Sequence, residues 1–232
     1  ANYEQYQAET VFIPTKEGLS FMKGFNSLYE KYGLSFDQTY QDICLLLDLP
    51  EVRPETLHEK SKWAMAEIEG ICGGRFVFYG GGKVTFKTEN AEYSANSMAE
   101  GFRKAGILSR LLETGAIQPG VSGPLFWDEP ESNLNPKLMK LLVQILLELS
   151  RNGQQIILAT HDYVLLKWFD LLMDKGKDDH VRFHSLYRDA DTSEIKVAST
   201  EDYLKITPNP IDEAFGFLIN QEIENDMGGL GK

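Results

Sequence analysis

The spacing of apolar and polar positions divides the first 90 residues into a strand, three helices and a hairpin. An apolar run from Glu9 to Pro14 is ended by proline and predicts a short strand. From residue 16 to about residue 71 the apolar side chains recur at helical spacing. Leu49-Pro50 ends the second helix of this stretch, and Pro54 precedes the third.

A β-hairpin is predicted around a run of glycines. Two short alternating runs, 75–79 and 84–86, flank this run. Gly82-Lys83 looks like the end of a phosphate-binding loop, but such a loop needs a glycine five residues before Gly82 and Ser or Thr after the lysine. Those two positions hold Val77 and Val84, so the hairpin interpretation is favoured.

The second half of the chain has the pattern of helix, strand, helix and strand. A helix is predicted from about Met98 to Leu112, followed by the strand Pro124–Trp127, which is apolar on both faces as a buried parallel strand is. The helix Pro136–Arg151 and the buried strand Gln155–Ala159 complete a βαβ unit, with a right-handed crossover expected. The remaining predicted elements are a hairpin over 181–187 and 194–198 and a helix over 211–224.

Polar residues follow both strands of this βαβ unit. Asp128 and Glu129 come directly after the first strand, and His161 comes shortly after the second. Ligands of open α/β sheets bind beyond the carboxyl ends of the strands, so we expect these side chains at one edge. There an aspartate can hold Mg²⁺, a glutamate can polarise an attacking water, and a histidine can reach a γ-phosphate.

Each of these residues alone has a plainer explanation. An Asp-Glu pair can be a charge cluster at a helix start, and a lone histidine is more often structural. Along the chain, an apolar strand is followed by Asp128-Glu129-Pro130, then by a helix, a second apolar strand and Thr160-His161-Asp162. Because that order and spacing is rare by chance, the conjunction favours a nucleotide site.

These motifs resemble those of ABC-type P-loop ATPases. Residues 125–136, LFWDEPESNLNP, look like the Walker B motif and D-loop, and residues 159–162, ATHD, look like the switch-histidine loop. Glu131 and the opening residues 11–17 are more like the soluble prokaryotic AAA-15/AAA-21 branch, which is OLD- and SMC-like, than like transporters. The resemblance implies an α/β fold: a P-loop NTPase core of a parallel sheet with flanking helices, plus a helical insertion and a small β-hairpin.

The resemblance also implies ATP and Mg²⁺ as cofactors, with two ATP molecules held between two subunits of a homodimer. Glu129 would be the catalytic base, Asp128 the Mg²⁺ partner and His161 the γ-phosphate sensor. Residues 97–104, SMAEGFRK, are the candidate signature segment, which contacts the nucleotide of the opposite subunit. The residues assigned to nucleotide and dimer contacts are Ser97, Glu100, Gly101, Ser132, Asn133 and Asn135.

The candidate signature segment also has a structural interpretation. Ser97 and Glu100 have the spacing of a capping box at a helix start, with Arg103 and Lys104 adding charge one turn in. A helix N-terminus next to a glycine can bind an anion, and the downstream motifs favour the signature over an ordinary capped helix. Asn135 stands where the family's D-loop usually has aspartate, so it can hydrogen-bond across a dimer without a charge.

A Walker A motif, GxxxxGK[ST], does not occur in the sequence, and no Q-loop glutamine is identifiable. In the family these features lie upstream, so we expect the chain to be the C-terminal part of a longer ATPase whose upstream segment supplies Walker A. The expected organisation is the end of an N-terminal ATPase part over 1–15, a helical insertion with a β-hairpin over 16–90, and a C-terminal ATPase part over 91–232.

Composition narrows the class of protein further. A net charge of −12 argues against a broad basic surface for nucleic acid but leaves a local patch, and thus DNA binding, open. Cys44 and Cys72 lack metal-site spacing, which favours reduced core thiols in a cytoplasmic protein. No apolar run is long enough to span a bilayer, so no membrane partner is expected.

The functional expectation is an ATPase that acts as a motor or switch, in antiphage defence or DNA repair by family analogy. A nuclease, if one is involved, would be a separate partner protein. The alternative is a non-hydrolysing interaction module that carries relic ATPase motifs. Asp128, Glu129 and His161 argue against relics, because they have no evident packing role and would be lost first.

Overall fold

The computed structural model describes residues 9–229, and its packing divides the chain into a unit that ends at Thr160 and a unit that begins at His161. Residues 1–8 and 230–232, which belong to the first and last predicted segments, lie outside the described residues. The predicted segment boundaries at residues 15 and 90 stay a prediction.

The elements of the first unit are β1 (Val11–Ile13), α1 (Phe25–Tyr32), α2 (Gln38–Leu47), α3 (Glu59–Cys72), β2 (Arg75–Phe78), β3 (Val84–Lys87), β4 (Glu92–Ser94), α4 (Glu100–Glu113), β5 (Leu125–Asp128), α5 (Pro136–Arg151) and β6 (Ile156–Ala159).

A three-stranded parallel sheet in the order β1-β5-β6 organises the first unit. Ile13 pairs with Trp127 across β1 and β5, and Asp128 pairs with Ala159 across β5 and β6. The two registers bring the carboxyl ends of all three strands to one edge. The predicted α/β fold, with a parallel sheet and flanking helices, is confirmed.

Helix α5 connects β5 to β6, buries an apolar stripe and packs against α3. Asn135 accepts a hydrogen bond from the Lys137 backbone N–H at 3.0 Å, and Pro136 fills the first helical position, where no N–H donor is needed. The helix ends before Asn152, and Gly153 has a φ of 92°. These local signals fix both ends of the helix, and its predicted bounds are correct.

Helices α1 and α2 form an aromatic cluster next to the sheet. The rings of Phe25 and Phe36 meet edge to face at 5.2 Å, and the rings of Phe21 and Phe25 lie 4.9 Å apart. Asp37 begins α2 by accepting a hydrogen bond from the Thr39 backbone N–H at 2.9 Å. The three predicted helices between residues 16 and 71 are confirmed.

The predicted hairpin is confirmed and is larger than expected, because β4 adds a third antiparallel strand to β2 and β3. Its turn contains Gly82, whose φ is 72°. A Cβ on Gly82 would lie 2.5 Å from the backbone oxygen of Met22, so only glycine fits there. The glycine run is therefore a turn that docks on the segment before α1, and β4 was missed from the sequence.

The prediction that β6 is a buried strand is wrong. Every residue of β6 is half-buried or exposed, and Ile157 is 42% exposed. In the part of the chain that the structure describes, β6 is an edge strand of the parallel sheet, so only one of its neighbours is a strand. An apolar run alone cannot distinguish an edge strand from a central one.

The second unit contains a helix, a hairpin and a C-terminal helix: α6 (Tyr163–Leu172), β7 (Phe183–Arg188), β8 (Ile195–Thr200) and α7 (Pro210–Gly229). The hairpin and the last helix were predicted, whereas α6 was not. Tyr163 of α6 stacks on Phe215 of α7 at 4.3 Å, which ties the two helices together. Between residues 9 and 229, no helix combines the length and the apolar character needed to cross a bilayer.

Both thiols of the chain lie in the core and are expected to be unreactive in the native state. Burial raises the pKa of Cys44 to about 12, with the charges of Asp48 and Glu17 adding to the effect, and burial raises the pKa of Cys72 to about 11. Because the thiolate is the nucleophile, a disulfide reagent at pH 8 should label neither cysteine until the protein is unfolded by denaturant. Fast labelling of either thiol in the native protein would contradict this packing.

Candidate functional site

The candidate site lies at the carboxyl edge of the parallel sheet. Asp128 is the last residue of β5 and is half-buried. Its Oδ2 accepts a hydrogen bond from the hydroxyl of Thr15, which follows β1. Because β1 and β5 are parallel and in register, the residues after β1 must lie beside the end of β5. Thr15 is therefore part of the site.

Sequence reasoning missed Thr15. A threonine after a proline-ended strand carries no motif of its own. The signal that could have found it is the strand itself, since a buried strand parallel to β5 delivers its next polar residue to the same edge.

Glu129 leaves the sheet through a sharp turn of the backbone. Its φ is 46°, in the left-handed region that is uncommon for a residue with a side chain. The Glu129 N–H donates to the carbonyl of Ala159 at 2.8 Å, and the Glu129 carbonyl accepts from the Ser132 N–H at 3.1 Å. Such strained positions cluster at functional sites and persist only where neighbouring contacts hold them.

A buried lysine supplies one of those contacts. Lys104 of α4 donates from Nζ to the Glu129 carbonyl at 3.0 Å and to the hydroxyl of Ser132. Burial lowers the pKa of Lys104 below its ordinary value, and nearby negative charge opposes this. The carboxylates that oppose the lowering belong to Glu100, Glu131, Glu129 and Asp128.

Glu131 ties the loop after β5 to the end of β6. Its side chain is buried, and Oε1 accepts a hydrogen bond from the hydroxyl of Thr160 at 2.6 Å. Its Oε2 is buried without a hydrogen-bond partner among the described residues. The loop therefore has an internal anchor in addition to Lys104.

The remaining loop residues assigned to nucleotide and dimer contacts differ in exposure. Asn133 is exposed and has a φ of 60°, a conformation that asparagine tolerates better than most residues. Asn135 is also exposed, but its side-chain oxygen caps α5. Ser132 is half-buried and holds Lys104. Asn133 is thus the loop residue with the least evident packing role.

The capping box predicted for Ser97 and Glu100 is wrong. Ser97 is exposed in a short 3₁₀ turn, Ala95–Ser97, and α4 begins at Glu100 with Ala99 at the N-cap position and no side-chain cap. The reason is that Met98 is extended, which separates the turn from the helix. Ser97 therefore does not cap the helix.

Gly101 has a packing explanation inside the chain. A Cβ at Gly101 would lie 2.7 Å from the backbone oxygen of Asn133 and 3.2 Å from the Cα of Leu134. The absent side chain lets the first turn of α4 touch the loop after β5. The candidate signature segment and the D-loop are therefore in direct contact within one chain.

An ion pair between Arg103 and Glu17 fixes the start of α4. Arg103 donates from Nε to Oε1 of Glu17 at 2.8 Å, and its guanidinium also donates to the Met98 carbonyl. Glu17 is buried and lies in the segment after β1. The segment from Thr15 to Glu17 thus contacts Asp128 at one end and α4 at the other.

His161 and Asp162 begin the second unit. His161 is exposed and follows Thr160 directly along the chain. Asp162 caps α6 by accepting a hydrogen bond from the Leu165 N–H at 2.6 Å. The cap gives the Asp162 side chain a structural role that fixes the backbone just after His161.

Residues 85–167 match the family model described as "AAA domain, putative AbiEii toxin, Type IV TA system". This stretch is similar to an AAA domain. It spans α4, β5, α5 and β6, so it includes the Asp128-Glu129 pair and the candidate signature helix. The predicted resemblance to ABC-type P-loop ATPases is confirmed, and no curated protein matches the chain.

Among solved structures, the chain is similar to SMC head domains. It is 13% identical to the head from Pyrococcus furiosus bound to the C-terminal domain of ScpA, with a TM-score of 0.43, covering 72% of this chain and 38% of that one. For the SMC head from Thermotoga maritima the identity is 15%, the TM-score is 0.44, and the shares covered are 68% and 51%. The third is a structure from work on ATP-driven dimerization and DNA-stimulated activation of SMC ATPases. Its identity to this chain is 15% and its TM-score is 0.45, and the match covers 71% of this chain and 92% of that one.

The oxygen donors of Asp128 and Thr15 suit Mg²⁺. Mg²⁺ prefers oxygen ligands and is held by one or two carboxylates together with substrate phosphates rather than by a full protein cage. Asp128 supplies a carboxylate at the sheet edge, with the Thr15 hydroxyl beside it. Among residues 9–229, the structure contains no cluster of three or more acidic, His or Cys ligands.

Proposed function

We propose that the chain forms part of an ABC-type site that binds and hydrolyses ATP. The observation that carries the proposal is the placement of Asp128 and Glu129 at the carboxyl edge of the sheet, with α4 packed on the loop that follows them. A relic motif has no reason to keep Glu129 in a left-handed conformation held by hydrogen bonds from two elements.

The proposed mechanism assigns one role to each acidic residue. Asp128 would hold the metal of Mg-ATP, and the hydroxyl of Thr15 fixes the orientation of its carboxylate. Mg²⁺ bound there would neutralise charge on the β- and γ-phosphates. Glu129, beyond the end of the strand, would accept a hydrogen bond from the attacking water and orient it toward the γ-phosphate.

The proposed assembly is a homodimer with two ATP molecules between its subunits. Asn133 and Asn135 are exposed beside the site, as dimer contacts must be. Ser97, Glu100 and Gly101 would face the nucleotide bound by the other subunit. His161 would sense the γ-phosphate of the nucleotide bound by its own subunit. The phosphate cradle would come from a Walker A segment outside these 232 residues.

The proposed biological setting is a cytoplasmic motor or switch in antiphage defence or DNA repair. The family description names a toxin of a type IV toxin–antitoxin system, which is compatible with a defence role. Any nuclease activity would belong to a separate partner protein. The net charge of −12 argues against a broad basic surface for DNA and leaves a local basic patch open.

Replacing Asp128 by asparagine tests the metal role. Asparagine can still accept the hydrogen bond from Thr15, so the fold should hold, but it removes the charge that holds Mg²⁺. We expect ATP hydrolysis by the protein made from its complete coding sequence to fall by about 100-fold or more, with a higher Mg²⁺ requirement. The control is Asp42→Asn, an exposed aspartate of α2. Unchanged Mg²⁺ dependence in Asp128→Asn would contradict the assignment.

A further inference from the structure

Lys104 is a buried cation that the proposed mechanism does not yet use. Lys104 is 1% exposed. A lysine is almost never buried so fully unless its ammonium group has a partner. The two acceptors are the Glu129 carbonyl and the Ser132 hydroxyl, both in the loop after β5. Helix α4 therefore directs a charge into the candidate site rather than into solvent.

The contact falls on the backbone that sets the direction of the Glu129 side chain. The N–H of Glu129 is bonded to Ala159 of β6, and its carbonyl is bonded to Lys104 of α4. The two peptide groups that flank its Cα are thus held by different elements. A φ of 46° is unfavourable for a residue with a side chain, so these contacts, together with the Ser132 N–H on the same carbonyl, hold the backbone that sets the direction of the side chain.

Helix α4 contacts this loop at two positions on one face of the helix. Gly101 touches the backbone of Asn133, and Lys104, three residues later, reaches Glu129 and Ser132. A shift of the first turn of α4 would move the contacts of Gly101 and Lys104 together. The candidate signature segment is therefore joined to the backbone of Glu129 by the Lys104 side chain and to Asn133 by the close approach at Gly101.

We propose that Lys104 is a positioning residue for Glu129, which transmits the orientation of α4 to the carboxylate that activates water. The inference rests on the proposed ATPase function. Nucleotide contact at the start of α4 would then change hydrolysis in the same subunit through Lys104. The carboxylates of Glu100, Glu131, Glu129 and Asp128 offset part of the cost of burying the ammonium.

The first test is Lys104→Met, made in the protein expressed from its complete coding sequence. Methionine keeps an unbranched apolar stem and removes the ammonium. We expect kcat for ATP to fall by about 10- to 100-fold, because small misplacements of catalytic groups have effects of that size, while Kd for ATP changes by less than about twofold. The control is Lys87→Met, an exposed lysine of β3, whose kcat should match the wild type.

A double-mutant cycle separates positioning from a general structural role. If Lys104 acts through Glu129, Lys104→Met should cause no further loss of turnover in a Glu129→Gln background. A lysine that merely stabilises the fold would lower the residual turnover and the melting temperature in both backgrounds. Independent, multiplicative losses from the two substitutions would overturn the inference.

The remaining outcomes distinguish the inference from the function on which it rests. Absence of ATP hydrolysis by the wild type would overturn both. Hydrolysis that falls in Glu129→Gln but stays at the wild-type kcat in Lys104→Met would overturn the inference alone. If Lys104→Met does not fold, Lys104→Gln and Ser132→Ala carry the test. A several-fold lower kcat in both is expected, and wild-type kcat in both would overturn the inference.

Discussion

Replacing Glu129 by glutamine is expected to lower the rate of ATP hydrolysis by about two to four orders of magnitude, the range typical for loss of a general base. ATP affinity should stay close to that of the wild type, because Glu129 is assigned to the water and not to the phosphates. Glutamine has nearly the same shape, and the backbone contacts of this residue to Ala159 and Lys104 do not involve the side chain. The fold should therefore be unchanged.

The Glu129→Gln protein should also accumulate as an ATP-bound dimer. If hydrolysis opens the proposed sandwich, a subunit that binds but does not hydrolyse ATP stays closed. Size-exclusion chromatography with light scattering, with and without Mg-ATP, measures this directly. Glu67→Gln, an exposed position on α3, is the matched control and should remain active. A Glu129→Gln protein that hydrolyses ATP at the wild-type rate would remove Glu129 from the catalytic role.

Replacing Gly82 by alanine is expected to destabilise the first unit by about 2–4 kcal/mol, a large part of the stability of a typical domain. Two costs combine at this position. The φ of 72° is unfavourable for alanine, and the new Cβ would lie 2.5 Å from the Met22 backbone oxygen. The hairpin turn and the segment before α1 would have to separate. The midpoint of denaturant unfolding measures the effect.

The neighbouring glycine provides the matched control for that substitution. Gly81 has a φ of 59°, but a Cβ there would meet nothing within 4 Å. Gly81→Ala should therefore show only the conformational cost, about 1 kcal/mol. Equal destabilisation by the two substitutions would mean that the close approach to Met22 does not contribute to the loss of stability.

Local signals predicted those elements whose ends are determined by nearby residues. Helix α5 was predicted to its exact bounds because Asn135-Pro136 and Asn152-Gly153 determine its two ends. Helix α6 was not predicted, although Asp162 caps it and an apolar run follows the cap. That signal was present in the sequence.

Other features depend on contacts between distant parts of the chain and could not be predicted locally. Thr15 reaches Asp128 across 113 positions only because β1 and β5 pair in parallel. Lys104 was interpreted as a charge one turn into a helix, since its burial depends on a carbonyl 25 residues away. The half-exposed character of β6 likewise depends on which strands pair with it.

The position of Asp128 at the end of a strand was predicted correctly, whereas the start of α4 was not. Asp128 and Glu129 were assigned from the residue types after a strand, and the structure places them beside each other at the sheet edge. The helix start at Ser97 failed because capping-box spacing does not reveal an intervening 3₁₀ turn. The catalytic and nucleotide-binding roles stay predictions.

The central claim is that this chain belongs to a protein that hydrolyses ATP with Glu129 as its base. The most direct test is the release of inorganic phosphate from saturating Mg-ATP by the protein made from its complete coding sequence. Steady release that depends on Mg²⁺ and is lost in Glu129→Gln is the predicted result. A folded wild-type protein that neither binds ATP nor releases phosphate would contradict the account.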